Sequence, residues 1–264
     1  MLKHHRITGK PRNIFYYGKL LIIAGMLAAC SSSQTAVKQD QAKAFRELGE
    51  AYMGQGQFTQ ALIEFKKAEQ LYAKDAYLQN NLGLAYLAKR NPELAISHFE
   101  QAIKLKPDYT PALNNLGTAY LEKEDWHAAI ACFEKAARDL MYMTPHFPMT
   151  NLGFAYYKLG EYEKAVRYHQ EAIDISPDFP KAHHNLGLAF MALGRNADAI
   201  EALERAASLA PKEAQIHFDL GRAYRLDNKY RNSYESFKKA AALAQRRQLA
   251  AEAEAEAERI RNFY

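Results

Sequence analysis

Apolar and polar positions along this chain recur in one figure. A leucine and a glycine stand together, an aromatic ring follows three residues after the glycine, and a second block then carries Ala, an aromatic and Ala at spacings of four and three. Spacings of three and four return to one face of an α-helix. Each figure therefore predicts two helices, the first thinned at its glycine so that the second approaches closely. The Leu-Gly pair occurs at Leu48-Gly49, Leu82-Gly83, Leu116-Gly117, Leu152-Gly153, Leu186-Gly187 and Leu220-Gly221, at separations of 34, 34, 36, 34 and 34. Its aromatics are Tyr52, Tyr86, Tyr120, Tyr156, Phe190 and Tyr224, and the second blocks begin Ala61, Phe65, Ala68, then Ala95, Phe99, Ala102, then Ala129, Phe133, Ala136. Pro107, Pro177 and Pro211 fall where one unit gives way to the next, at places where a helix cannot continue. His169 stands where an aromatic is usual and Ser233 where Ala is usual, and units one and three lack the closing proline.

A 34-residue period with this interior resembles the tetratricopeptide repeat. The resemblance divides residues 42–247 into six units, 42–75, 76–109, 110–143, 146–179, 180–213 and 214–247, with two residues inserted between the third and fourth. No such unit buries its apolar face alone. The resemblance thus implies an all-α fold, a right-handed superhelix (α-solenoid) of six repeats with a concave inner face. Residues 248–264, rich in Ala, Glu and Arg, predict a C-terminal capping helix.

The start of the chain changes what the composition means. Met1 to Lys19 holds Lys3, Arg6, Lys10, Arg12 and Lys19 and no acid, and the apolar run Leu20 to Ala29 follows. Basic, then short and apolar, then small residues is the order of a secretory signal peptide. Ten helical residues reach only about 15 Å, half of a bilayer core. Leu27-Ala28-Ala29-Cys30 at the end of that leader resembles the lipobox of bacterial lipoproteins. Residues 1–29 are thus expected to be removed, Cys30 lipidated, and 30–41 to form a flexible polar tether. Ser31, in place of the Asp that retains such lipoproteins at the inner membrane, implies the outer membrane, periplasmic face. The net charge of +5 equals the five basic residues of the leader, leaving the remainder near neutral. Nucleic-acid binding is accordingly not expected. Cys132 has no second thiol once Cys30 is acylated and reads as a buried core residue.

In the tetratricopeptide family the inner groove is lined by the first helices around the Leu-Gly pair. The residue ahead of each leucine is Glu47, Asn81, Asn115, Asn151, Asn185 and Asp219. Carboxamides offer a donor and an acceptor, so this column either grips the main chain of an extended peptide or bonds to the backbone of an adjacent repeat. Beside it run Leu84 and Leu87, Thr118 and Leu121, Phe154 and Tyr157, and Leu188 and Met191, an apolar strip suited to a bound peptide or amphipathic helix, or to the chain's own C-terminal helix. Arg222 and Arg225 replace the apolar pair in the last repeat, and Glu50 and Met53 in the first.

No phosphate loop, nucleophile elbow, Cys-x-x-Cys or His-Glu-x-x-His occurs. Adjacent His183 and His184 point about 100° apart on a helix, which argues against a metal pair. No catalytic residue, cofactor, metal or small-molecule substrate is expected; the expected partner is protein. The lipobox, the six repeats and the junction Tyr142-x-Thr144-Pro145 with Asn151-x-Gly153 resemble the type IV pilus pilotin family, outer-membrane lipoproteins that help a secretin pore assemble. That resemblance implies a secretin subunit in the groove and membrane attachment through acyl chains on Cys30. Met141, Tyr142, Met143, Phe147 and Met149 in the insertion either meet a partner or fill an irregular gap. A periplasmic adaptor for proteases or peptidoglycan hydrolases would use the same groove, and an enzyme accessory subunit or an unrecognised hydrolase is a third possibility.

Overall fold

The computed structural model of the chain describes residues 14–139 and 142–263, with side chains from residue 34 onward. The basic start of the leader, the Cys30 side chain and Met141 lie outside that part. Among the described residues the chain is helical, without strands. Six antiparallel pairs follow one another: α1 (Ile14–Gly54) with α2 (Phe58–Leu71), α3 (Ala76–Ala88) with α4 (Pro92–Leu105), α5 (Thr110–Glu122) with α6 (Trp126–Ala137), α7 (His146–Lys158) with α8 (Tyr162–Ile175), α9 (Pro180–Ala192) with α10 (Asn196–Leu209), and α11 (Ala214–Leu226) with α12 (Tyr230–Leu243). A thirteenth helix, α13 (Arg247–Ile260), and a short 3-10 turn, Arg261–Phe263, close the chain.

Local chemistry sets the helix ends. The Asp75, Asn91 and Asp125 side chains accept from the first free amides of α3, α4 and α6. Pro92, Pro111 and Pro180 stand in first turns, where a missing N–H costs nothing. One left-handed residue closes every turn inside a pair, at Gly56, Arg90, Glu124, Gly160, Gly194 and Asn228. Only three of these six are the glycines that such a φ favours.

Each pair is locked where its glycine meets the second helix. Phe65, Phe99, Phe133, His169, Leu203 and Phe237 lie against Gly49, Gly83, Gly117, Gly153, Gly187 and Gly221. A methyl carbon on Gly117 would stand 2.6 Å from the Phe133 ring. All six of these large side chains are fully buried, each phenylalanine contributing about 1.5–3 kcal/mol. Ser233 fits its alanine column because its hydroxyl donates to the Gly221 carbonyl at 2.6 Å.

Each helix packs on the next, and the first helices of successive repeats also approach one another, α1 to α3, α3 to α5, α5 to α7, α7 to α9 and α9 to α11. That pattern puts the first helices on the inside of a curved stack. The stack is an all-α tetratricopeptide-type superhelix. At its far end α13 packs on α12, burying Ala253, Ala257 and Ile260 beside Phe237.

Two sequence expectations, the tether and the burial of Cys132, are corrected here. Residues 31–40, expected as a flexible tether, continue α1 without a break; Thr35 to Ala44 contains neither Gly nor Pro, and residues 34–41 are exposed as on a solvated helix. Leu48, unlike its five counterparts, is 44% exposed, because no repeat packs ahead of the first. Cys132 is half-buried against the cluster of Ala95, Phe99 and Leu116, and burial pushes its thiol up to about 11.

Candidate protein-binding groove

The first helices present their asparagine column and its apolar neighbours together. Asn81, Asn115 and Asn151 are half-buried, and each amide nitrogen donates to a side chain of the preceding repeat. The acceptors are Glu50 Oε1 at 2.6 Å, Asn80 Oδ1 at 2.9 Å and Asn114 Oδ1 at 3.4 Å. Lys181 continues the series by donating to Asn151 Oδ1 at 3.3 Å. The column is thus an inter-repeat ladder of side chains, with side-chain acceptors in the preceding repeat where the second expectation had backbone. Carboxamides accept and donate at once, so each also keeps hydrogen-bonding capacity for a ligand.

Asn185 breaks the series. It is buried at 8% exposure, its amide nitrogen has no hydrogen-bond partner, and the Thr150 hydroxyl of the preceding repeat is likewise buried without one. In the last repeat Asp219 gathers three donors, His184 Nε2 at 2.9 Å, Gln215 at 3.0 Å and Arg222 at 2.9 Å. Burial alone would raise its carboxyl, but those donors outweigh burial and hold it below the ordinary value. His184 is thereby committed to Asp219, while His183 donates from Nε2 to the Pro177 carbonyl at 2.8 Å, so the two rings have separate protein partners.

Leu84, Leu87, Leu121, Phe154, Tyr157, Leu188 and Met191 are all half-buried. Several rest on the core from one side: Leu84 and Leu87 on the cluster around Phe99, Leu121 and Tyr157 on that around Phe133, and Met191 on that around Leu203. Burial pushes the Tyr157 phenol up, and the charges of Arg222 and Asp219, two repeats further on, also act on it. The inner curve brings repeats four and six to one place. Charge is uneven along it. Glu50 at the first repeat is held by Arg46 at 2.6 Å, whereas Lys158, 5.5 Å over the Phe154 ring, and Lys181 have no carboxylate partner among the described residues.

The insertion makes a second, separate apolar surface. Met143 is 94% and Phe147 42% exposed, and the rings of His146, Phe147 and Phe179 meet tilted or edge-on at centroid distances of 4.4–5.3 Å. Tyr142 and Met143 border a shallow pocket of about 370 Å³ with Tyr77 and Tyr109, and Met149 is half-buried apart from it. Met149 is half-buried, whereas Met143 and Phe147 project into solvent.

Sequence reasoning missed a ladder of another kind. Tyr120, Tyr156 and Tyr224 donate their hydroxyls to Glu100, Glu134 and Glu204 on the second helix of the repeat before. A glutamate 20 or 22 residues ahead of each of these recurring tyrosines was the available signal. Among the described residues no group of three potential metal ligands gathers, and no helix is long and apolar enough to cross a membrane.

Tetratricopeptide-repeat families match residues 76–109, 112–141, 180–213 and 214–246, and a TPR-repeat family matches 153–194. No curated protein sequence matches. Among solved structures, PilF of Pseudomonas aeruginosa is similar at a TM-score of 0.71 and 17% identity, over 83% of this chain and 99% of its own. PilW, a type IV pilus biogenesis factor, is similar at 0.73 and 22%, over 80% and 97%. YrrB, a repeat protein with an unusual peptide-binding site, is similar at 0.53 and 23%, over 72% and 97%.

Proposed function

From the premise that the chain belongs to the tetratricopeptide-repeat proteins, we propose that it is a non-enzymatic, lipid-anchored pilotin that promotes outer-membrane localisation and multimerisation of a type IV pilus secretin. The observation that carries this reading is near-complete overlap with two pilus proteins, 99% of PilF and 97% of PilW. The lipobox at Cys30 and the two-residue insertion after repeat three support it from the sequence.

In this mechanism acyl chains on Cys30 hold the protein to the periplasmic face of the outer membrane; more than one chain is needed for stable attachment. The inner groove holds a segment of the secretin subunit: Leu84, Leu121, Phe154 and Leu188 take its apolar side chains, and spare carboxamide capacity at Asn81, Asn115 and Asn151 takes its main chain. Binding to the subunit before assembly would carry it to the membrane where the pore forms.

The test compares cells lacking the protein with cells carrying the wild type or Cys30→Ala. The expected result is heat-stable secretin multimers in the outer-membrane fraction only with the wild type. Multimers of normal amount and location without the protein would reject the pilotin role.

A further inference from the structure

The groove changes character along its length, and the change identifies what it fits. At repeats one and two its charges are already matched: Glu50 accepts from Arg46 and from Asn81, both at 2.6 Å, and Lys43 faces Glu47 at 3.8 Å. From repeat four onward, cations exceed acceptors. Lys158 lies over the rings of Trp126 and Phe154 with no carboxylate among the described residues. Lys181, an exposed side chain, has only the neutral Asn151 carboxamide at 3.3 Å as its partner. Arg222 shares the single carboxylate of Asp219 with His184 and Gln215. Between these cations stand the apolar side chains of Phe154, Tyr157 and Leu188, half-buried.

We propose that this half of the groove receives an acidic amphipathic segment of the partner protein, one carboxylate side chain of which seats on Lys181 while its apolar neighbours cover Phe154, Tyr157 and Leu188. Charge complementarity selects this occupant. A cation bonded only to a neutral oxygen gains a charge-assisted partner, worth more than a bond to a neutral group. A basic segment meets three unmatched or half-matched cations and is repelled. The sequence of charges also orients the guest, with its acidic end toward repeats five and six.

The ladder is open at this same junction. Asn185, one helical turn after Lys181 on the same helix face, has an unpaired buried amide, and the Thr150 hydroxyl is unpaired too. A main-chain carbonyl of the guest would supply the partner that the Asn185 amide lacks. Lys181 is thus the specificity-determining residue, and Asn185 a second donor behind it.

This inference rests on the groove being the binding surface, and the test separates the two. The lipoprotein, purified in detergent, is panned against a displayed library of random 12-residue peptides, in parallel with Lys181→Glu and with Phe154→Ala/Tyr157→Ala, all first checked for unchanged helical circular dichroism. The expected wild-type selection is peptides with an Asp or Glu flanked by apolar residues. Affinity for a selected peptide should fall about tenfold in Lys181→Glu and weaken with added salt. Enriched peptides that are neutral or basic, or acidic peptides that bind Lys181→Glu equally well, overturn the proposal and leave the groove reading standing. Peptides that bind the Phe154→Ala/Tyr157→Ala variant unchanged overturn the groove reading and this inference with it.

Discussion

The imidazole of His169 lies against Gly153, in the place where phenylalanine rings lie against Gly49, Gly83, Gly117 and Gly221. A polar ring thus fills an apolar socket. Both ring nitrogens are buried without a hydrogen-bond partner, and such groups cost about 1–3 kcal/mol each to desolvate. His169→Phe should therefore stabilise the protein by roughly 2 kcal/mol at pH 7, read as a higher urea midpoint with unchanged slope.

The same residue makes the stack sensitive to acid. Burial, with the charges of Lys181 and His184, lowers the His169 pKa from 6.5 to about 3. Between those values the unfolded chain takes up a proton that the folded chain refuses, so stability falls as pH drops below about 6.5. At pH 5 the loss is roughly 2 kcal/mol, at about 1.4 kcal/mol per unit. The difference in midpoint between His169→Phe and the wild type should widen from pH 7 to pH 5; a constant difference contradicts the assignment.

Gly117→Ala should cost about 2 kcal/mol, because its methyl would meet the Phe133 ring at 2.6 Å in a packed core. Gly54→Ala, with nothing within 4 Å, is the matched control and should be neutral or slightly stabilising. Thermal melts of the two variants distinguish close approach from a general intolerance of change.

Glu124 occupies the left-handed turn position at φ 59° where repeats one, four and five use glycine. Glu124→Gly should raise stability by about 1 kcal/mol, the relief of strain exceeding the added freedom of the unfolded chain. Gly160→Ala at the corresponding turn should lower it by a similar amount. Equal effects of the two substitutions would contradict this.

Asn115→Ala removes the rung to buried Asn80 and should cost about 1–2 kcal/mol. Asn185→Ala removes an amide nitrogen that has no partner, and should cost less than Asn115→Ala by the same urea titration.

The fold could be read from the sequence because each repeat declares itself by spacing alone: a glycine thins one helix and a ring sixteen residues on fills the gap, as Gly83 and Phe99 do. Leu203 escaped notice because it fills the same gap without being aromatic. The groove columns could be read too, since Asn81, Asn115 and Asn151 sit at one register. Their partners could not. Whether a carboxamide faces a guest or a neighbour depends on what the preceding repeat offers, Glu50, Asn80 or Asn114, and that pairing is set by the curvature of the stack. The tether was misread because composition reports polarity, while the absence of Gly and Pro between Thr35 and Ala44 lets α1 continue.

The central claim is that the inner groove holds a secretin segment. A photoreactive amino acid is placed at Tyr157, and separately at Phe154, in the full-length protein in outer membranes, irradiated, and the captured chain identified by mass spectrometry. The account predicts a secretin subunit joined at both positions and not at exposed Ile63 on the second helix of repeat one. Capture of a protease or a wall hydrolase in its place, or of no protein at either position, contradicts it.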